Sequence, residues 1–229
     1  MEQENVGLYL GMDISEKYTM ISIYQQHMKE PQTISTIMGS ESYQIPTALA
    51  KKKGVGQWFF GREAKVRVKS GEALGVEDLL DKARTGEEVF LEHEKYAASD
   101  LLAIFLKRVL SLAGSAQAMM PLIKLVICLD KVSVEYMELF SAIMVKLGIE
   151  TDKLLLIDRR ESFYYYALSQ GPETFLHDVV MFDYTESDMV SCRLRRNMHT
   201  TPQVINLDQK NHGKLLDQKD GEFQKIAQD

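Results

Sequence analysis

The spacing of apolar residues along the chain predicts two similar strand-turn-strand units, within residues 8–24 and residues 179–195. In each unit two apolar strands flank a short polar turn, and an aspartate, Asp13 or Asp183, stands at the end of the first strand. A buried strand delivers its last residues to the carboxyl edge of a sheet, where α/β proteins bind ligands. The pattern therefore predicts two lobes that face one cleft.

Helices and further strands fill the rest of the chain. A period near 3.6 predicts helices at residues 62–68, 99–113, 133–147 and 161–169, with Ser99 as an N-cap and with Gly114 and Gly148 as stops. Apolar or alternating runs predict strands at residues 8–14, 19–24, 34–37, 57–60, 122–129, 154–157, 179–183, 189–195 and 203–207. The β-α-β-α-β order of residues 122–183 predicts parallel strands with right-handed crossovers. Residues 70–96 are charged and weakly periodic, so the pattern predicts no element there.

Composition narrows the class of protein. Of the 229 residues, 45% are hydrophobic, which is enough for a normal core. The net charge of -6 argues against non-specific binding to nucleic acid. Cys128 and Cys192 fall inside predicted strands, as buried thiols of a reducing compartment do. No apolar run approaches the roughly 18 residues of a membrane span, so we expect a soluble, cytoplasmic α/β protein.

Three stretches of the first half carry a resemblance to a known superfamily. The stretch Gly11-Met12-Asp13-Ile14-Ser15-Glu16-Lys17-Tyr18-Thr19 is similar to the first phosphate motif of the actin, heat-shock-chaperone and sugar-kinase ATPases, Gly-Ile-Asp-Leu-Gly-Thr-Thr-Tyr-Ser. Residues 45–47 and 60–65 are similar to that superfamily's Pro-Ser segment and to its Gly-Asp-x-Ala-Lys stretch. The order of the motifs resembles most closely the DnaK-type chaperone branch.

Two further motifs follow in the second half. Residues 160–166 correspond to the start of the family's Asn-Glu-Pro-Thr-Ala-Ala-Ala helix. Residues 182–188 correspond to the second phosphate motif, Phe-Asp-Leu-Gly-Gly-Gly-Thr. The resemblance implies an actin-like (ribonuclease H-like) α/β fold, with a mixed sheet, flanking helices and an incomplete second lobe. It implies a first lobe at residues 1–170, with a small insertion at about 38–96, and the start of a second lobe at residues 171–229.

The chain departs from the family where phosphates would bind. Phosphate loops use glycines because backbone N–H groups must approach the phosphate oxygens closely. Ser15 replaces the glycine of the first loop, beside Glu16 and Lys17. In the second loop, side chains replace the three glycines and the final threonine: Thr185, Glu186, Ser187 and Asp188. Added side chains and added negative charge argue against ATP as an ordinary ligand.

The candidate metal and catalytic residues each have two interpretations. The resemblance implies that Asp13 and Asp183 coordinate a hydrated Mg²⁺, whereas both also suit turn carboxylates that bond exposed N–H groups. It implies that Glu161 positions an attacking water, whereas a glutamate at a helix start also favours the macrodipole. Glu186 and Asp188 form either a new metal site with Asp183 or a solvated turn.

Lysines, tyrosines and arginines supply further candidate contacts. Residues 51–53 are three lysines, which suit a charged hairpin tip better than a phosphate site. The resemblance to the chaperone branch implies that a lysine of residues 70–96 handles phosphate, and Lys82 is the candidate. The tyrosines at 164–166 mark either a partner contact or inter-lobe packing, and at least one must lie near the surface. Five arginines, at 159, 160, 193, 195 and 196, predict a basic surface near the second lobe.

The function predicted from these observations is a pseudo-ATPase that keeps the fold of a bacterial-type cytoplasmic ATPase and works as a binding or assembly module with a protein partner. It needs no cofactor. The alternative is a divergent but active chaperone-like ATPase that binds ATP and Mg²⁺. A sugar or metabolite kinase is a third class, which lacks here the adenosine segment of the second lobe.

Overall fold

The structure is a computed structural model that describes residues 7–37, 39–114, 120–171, 178–184, 189–199 and 204–213. The chain divides into two compact units, Met1–Arg159 and Arg160–Asp229. The first unit contains eleven described strands: β1 (Leu8–Ile14), β2 (Tyr18–Gln25), β3 (Gln32–Thr33), β4 (Ile45–Pro46), β5 (Leu49–Lys52), β6 (Trp58–Phe60), β7 (Ala73–Val76), β8 (Glu88–Leu91), β9 (Glu94–Ala97), β10 (Leu122–Leu129) and β11 (Leu154–Asp158). Its described helices are α1 (Gly61–Lys69), α2 (Leu79–Thr85), α3 (Ala98–Leu110) and α4 (Val134–Leu147).

A mixed sheet forms the centre of the first unit, in the order β11-β10-β1-β2-β3, with β4 beside β2. β10 is parallel to both β1 and β11, whereas β1 and β2 form an antiparallel hairpin. The predicted mixed α/β sheet is confirmed. The predicted strand at residues 34–37 is wrong, because the third strand is the short β3 immediately before it.

One face of this sheet packs on α3 and α4. Alternate residues of β1 are fully buried, and they share one cluster with Phe105 of α3 and Phe140 of α4, whose side chains have no exposed surface. The predicted ends of α4 are confirmed: the Ser133 hydroxyl accepts a hydrogen bond from Tyr136 N at 3.4 Å, and Gly148 takes a left-handed conformation with φ of 72°. The apolar stripe thus fixes which side of the sheet the helices cover.

The predicted N-cap of α3, Ser99, is wrong. Ser99 lies inside the helix, which begins at Ala98 without a side-chain cap. The first helical N–H instead finds a backbone partner, since Ala98 N donates to Glu87 O at 3.0 Å. The helix ends at Leu110 and continues as one 3₁₀ turn, Ser111–Ala113, before Gly114.

The segment between β3 and α3 folds as a small substructure. β6, β5 and β7 form one antiparallel sheet, β8 and β9 form a hairpin, and α1 and α2 accompany them. The Lys51 side chain is buried and contacts the carboxylates of Glu92, at 3.5 Å, and Glu94. The sequence predicted that Lys51 belongs to an exposed hairpin tip, and this prediction is wrong. Lys52 and Lys53 are exposed.

The second unit contains α5 (Arg159–Ser169), whose first residue closes the first unit, and the strands β12 (Val179–Tyr184), β13 (Met189–Arg196) and β14 (Val204–Asn211). The three strands form a separate antiparallel sheet, so the prediction that β12 continues the parallel series of β10 and β11 is wrong. Phe163 and Tyr164 of α5 pack on its buried face.

The burial of side chains and the lengths of the helices test three of the sequence predictions. Cys128 and Cys192 are buried thiols, as predicted. Tyr165 and Tyr166 are 48% and 62% exposed, which confirms that this tyrosine run reaches the surface. In the part of the chain that the structure describes, every helix is too short or too polar to cross a membrane.

Candidate functional site

Three aspartates gather where the parallel strands of the first unit end. Asp13 lies near the end of β1, Asp130 directly follows β10, and Asp158 is the last residue of β11. These strands are neighbours in the sheet, and their carboxyl ends meet at one edge. Arg159, the first residue of α5, follows at the same edge.

Arg159 bridges two of these carboxylates. Its Nη2 donates to Asp13 Oδ1 at 3.1 Å, and its Nη1 contacts Asp130 Oδ1. The Arg159 side chain is only 22% exposed, compared with 34% for Asp13. Asp158 has a separate partner, because its Oδ1 accepts the Val132 N–H at 2.5 Å. The edge of the sheet therefore holds a guanidinium between carboxylates from two strands.

The Asp13 site does not fit the Mg²⁺ that the resemblance implies. A cation bound to Asp13 would lie beside the permanently charged guanidinium of Arg159, and two like unit charges 4 Å apart repel by about 4 kcal/mol near a protein surface. Among the described residues, no group of three or more His, Cys, Asp or Glu side chains is arranged to hold a metal ion. The carboxylate of Asp13 is thus engaged in an ion pair in this fold.

The turn between β1 and β2 is closed by Ser15. The Ser15 N–H and hydroxyl both donate to Tyr18 O, at 2.9 and 3.1 Å, and Tyr18 N donates back to Ser15 Oγ at 3.2 Å. The carbonyl of Lys17 accepts the Thr47 N–H at 2.9 Å, which ties the turn to the segment after β4. A glycine at position 15 keeps the backbone N–H but has no hydroxyl, so it would lose the two bonds that Ser15 Oγ makes with Tyr18.

Glu16 points to a helix of the inserted segment. Its carboxylate accepts the N–H groups of Leu80, at 3.3 Å, and Asp81, at the start of α2. Burial raises the pKa of the Glu16 carboxyl, and the two N–H groups act in the opposite direction with smaller effect. Glu16 therefore caps α2 and links the β1–β2 turn to it.

A cleft of about 470 Å³ opens beside this turn. Lys65 and Lys69 of α1 stand on its lining together with Glu16 and Asp78. The Lys65 ammonium lies 5.5 Å from the centre of the Tyr18 ring. The cleft thus has cationic and anionic groups and a size typical of small-molecule sites.

The lysine beside the β1–β2 turn is Lys65 and not the predicted Lys82. Lys82 lies on α2 and is not part of the cleft lining, whereas Lys65 is. The sequence signal for Lys65 is its place in the stretch Gly61-Arg62-Glu63-Ala64-Lys65, which is similar to the superfamily's Gly-Asp-x-Ala-Lys stretch.

Comparison with known proteins identifies the family of the chain. Residues 30–229 match the model of a family of unknown function (DUF5716), C-terminal. The chain belongs to this family. No curated protein matches the chain at a significant level. The family description carries no activity, so any function of this DUF5716 C-terminal chain is argued from its own residues.

The remaining predicted site residues of the DUF5716 chain lie in its second unit. Asp183 stands on β12 opposite Val190, and its pairing with Asp13 around a metal stays a prediction. Thr185, Glu186, Ser187 and Asp188 lie outside the described residues.

Glu161 lies in the first turn of α5, where its Oε1 accepts the Tyr165 hydroxyl at 3.4 Å. A carboxylate in this position is stabilised by the helix dipole. Its predicted role in positioning water stays a prediction.

The predicted basic surface is largely taken up by local contacts. Arg195 makes two hydrogen bonds to Asp178, at 2.8 and 3.0 Å, and Arg193 lies 3.9 Å from the same carboxylate. Arg160 donates to Gln209 on β14. These arginines, like Arg159, are engaged with neighbouring side chains.

Proposed function

We propose that this chain is a degenerate member of the actin-like ATPase superfamily, closest to the DnaK-type chaperones, which uses the fold as a binding or assembly module instead of hydrolysing ATP. The mixed sheet supports the fold assignment, because it combines an antiparallel hairpin with two parallel strands reached by helical crossovers. The aspartate of the first motif stands at the carboxyl edge of that sheet, as the resemblance implies for a phosphate-binding lobe.

The observation that carries the loss of nucleotide binding is the closed turn at Ser15. Phosphate loops bind through backbone N–H groups that are free to approach the ligand. Here the N–H groups of Ser15 and Tyr18 are bonded within the turn, and the Glu16 carboxylate adds negative charge to the same turn. An anion that bound through these two N–H groups would have to break their bonds and approach the Glu16 carboxylate.

Thermal unfolding of the full chain with ATP or ADP, with and without Mg²⁺, tests this proposal. A ligand at 100 times its Kd stabilises a protein by about 2.7 kcal/mol, which for a chain of this size raises Tm by roughly 5 to 11 °C. The proposal predicts no shift at millimolar nucleotide. A Mg²⁺-dependent shift of that size contradicts it, and an active chaperone ATPase domain serves as the positive control.

The alternative function is a divergent, active ATPase, and the cleft beside the first turn favours it. Lys65 and Lys69 bring two positive charges to a cleft of about 470 Å³. In this case Asp13 exchanges its arginine for a metal ion. The alternative predicts steady ATP turnover that disappears in Asp13→Ala, and it fails if the purified chain shows no turnover above the background of that variant.

The proposal includes a protein partner. Tyr165 and Tyr166 are the large exposed side chains of α5, and tyrosine is enriched at protein interfaces. Substituting both tyrosines with serine removes this contact without removing Phe163 and Tyr164, which pack inside the second unit.

A further inference from the structure

We propose that the guanidinium of Arg159 is a built-in counter-ion that takes the place of a divalent cation between Asp13 and Asp130, so that neutralising this one side chain exposes a latent divalent-cation site. The inference rests on the proposed function, since it gives a physical reason why the aspartate of the first motif no longer serves a metal. It concerns the first unit alone.

The geometry places a cation where two carboxylates converge. Asp13 and Asp130 come from β1 and β10, which are parallel neighbours in the sheet. Their Oδ1 atoms contact different nitrogens of one guanidinium, Nη2 at 3.1 Å for Asp13 and Nη1 for Asp130. The two terminal nitrogens of a guanidinium are held rigidly side by side, so both carboxylates lie within reach of one positive charge.

The charges explain why a cation is needed at this edge. Two carboxylates that contact the same group repel each other, and Asp13, whose side chain is 34% exposed, also loses part of its hydration. Arg159 offsets this repulsion with a group that stays charged at every physiological pH. Because the arginine is covalently part of the chain, the site is filled without any dependence on the concentration of metal.

Removing the positive charge leaves ligands that suit a hydrated ion. Mg²⁺, and Mn²⁺ as its usual substitute, keep several waters and bind through one or two carboxylates. Asp13 and Asp130 supply these two carboxylates in the absence of the guanidinium. The described residues hold no larger ligand cluster, so a site unmasked here has two protein ligands, with water completing the shell.

Mn²⁺ binding to the full chain, measured by equilibrium dialysis in the absence of nucleotide, tests the inference. Arg159→Gln keeps a polar amide on a shorter side chain and removes the charge, and we expect it to bind Mn²⁺ at least tenfold more tightly than the wild type. Adding Asp13→Asn to this variant is expected to abolish the gain. Arg84→Gln is the matched control, because Arg84 forms its ion pair with one carboxylate, that of Asp81.

The Tm measured with Mn²⁺ is a second test, for the case that Arg159→Gln is less stable than the wild type. If Arg159→Gln is weakened by its two uncompensated carboxylates, millimolar Mn²⁺ is expected to raise its Tm and to leave the Tm of the wild type unchanged. The inference is overturned if Arg159→Gln binds Mn²⁺ no more tightly than the wild type and its Tm does not respond. It is also overturned if the gain persists in the Asp13→Asn double variant. Nucleotide binding by the wild type is a separate measurement, so the proposed function and this inference fail independently.

Discussion

Replacing Glu16 separates its two effects, the capping of α2 and the cost of a half-buried charge. Glu16→Ala removes the acceptor of the Leu80 and Asp81 N–H groups. The loss of a helix N-terminal acceptor costs about 1 kcal/mol, which corresponds to a fall in Tm of roughly 2 to 4 °C for a chain of this size. Glu77→Ala is the control, because Glu77 is an exposed carboxylate just before α2.

Glu16→Gln keeps an acceptor oxygen and removes the charge, and its effect depends on pH. Burial raises the native pKa of Glu16 above the ordinary value of 4.5, so the native state binds the proton more tightly than the unfolded state does. The contribution of Glu16 to stability is therefore fully present below pH 4.5 and is lost as the pH rises through the native pKa. The wild type is expected to lose stability relative to Glu16→Gln over this pH window.

Urea unfolding between pH 4 and pH 7 measures this difference. The fluorescence of Trp58, the single tryptophan of the chain, follows the first unit, because the indole packs edge-on against Tyr96 at 5.4 Å. A wild-type stability that rises with pH relative to Glu16→Gln refutes the reasoning. That result would mean that the N–H groups of α2 outweigh burial and lower the pKa.

Three further substitutions test the local account of the first unit. Gly61→Ala is expected to destabilise the chain by more than about 1 kcal/mol, since Gly61 has a φ of +61° and a Cβ there would lie 3.2 Å from a side-chain carbon of Ile45; Gly71→Ala, with φ of +75° and open space, is expected to cost less. Ser133→Ala is expected to lower the free energy of unfolding by about 1 kcal/mol through the loss of the α4 cap. The control is Ser99→Ala, inside α3, whose urea midpoint is expected to stay near that of the wild type. Lys51→Met is expected to lower Tm measurably, because two glutamates lose a buried partner; an unchanged Tm contradicts that role.

The apolar pattern predicted the parts of the fold that depend on local periodicity. The hairpin of β1 and β2, the buried strand β10 and the helix α4 with its stop at Gly148 all follow from spacing and from the chemistry of helix ends. Residues 70–96 gave no such signal because α2 is only seven residues long and the strands around it are four. Their positions depend on distant partners, such as Glu16 for α2 and Lys51 for the β8–β9 hairpin.

The failed predictions share one physical cause, which is that long-range contacts decide between locally equal alternatives. A β-α-β pattern fits both a strand added to the same sheet and a strand that starts a new one, and β12 starts a new one. Ser99 has the chemistry of an N-cap, but β9 leads directly into α3, and a backbone carbonyl meets the first helical N–H. The pairing of Arg159 with Asp13 joins residues 146 positions apart, which no local pattern predicts.

Isothermal titration of the full chain with ATP, with and without Mg²⁺, tests the central claim most directly. The closed Ser15 turn and the Arg159–Asp13 ion pair predict no saturable heat at millimolar nucleotide in either condition. Micromolar, Mg²⁺-dependent binding would contradict the account, because it requires the turn to open to phosphate and Asp13 to exchange its arginine for a metal ion.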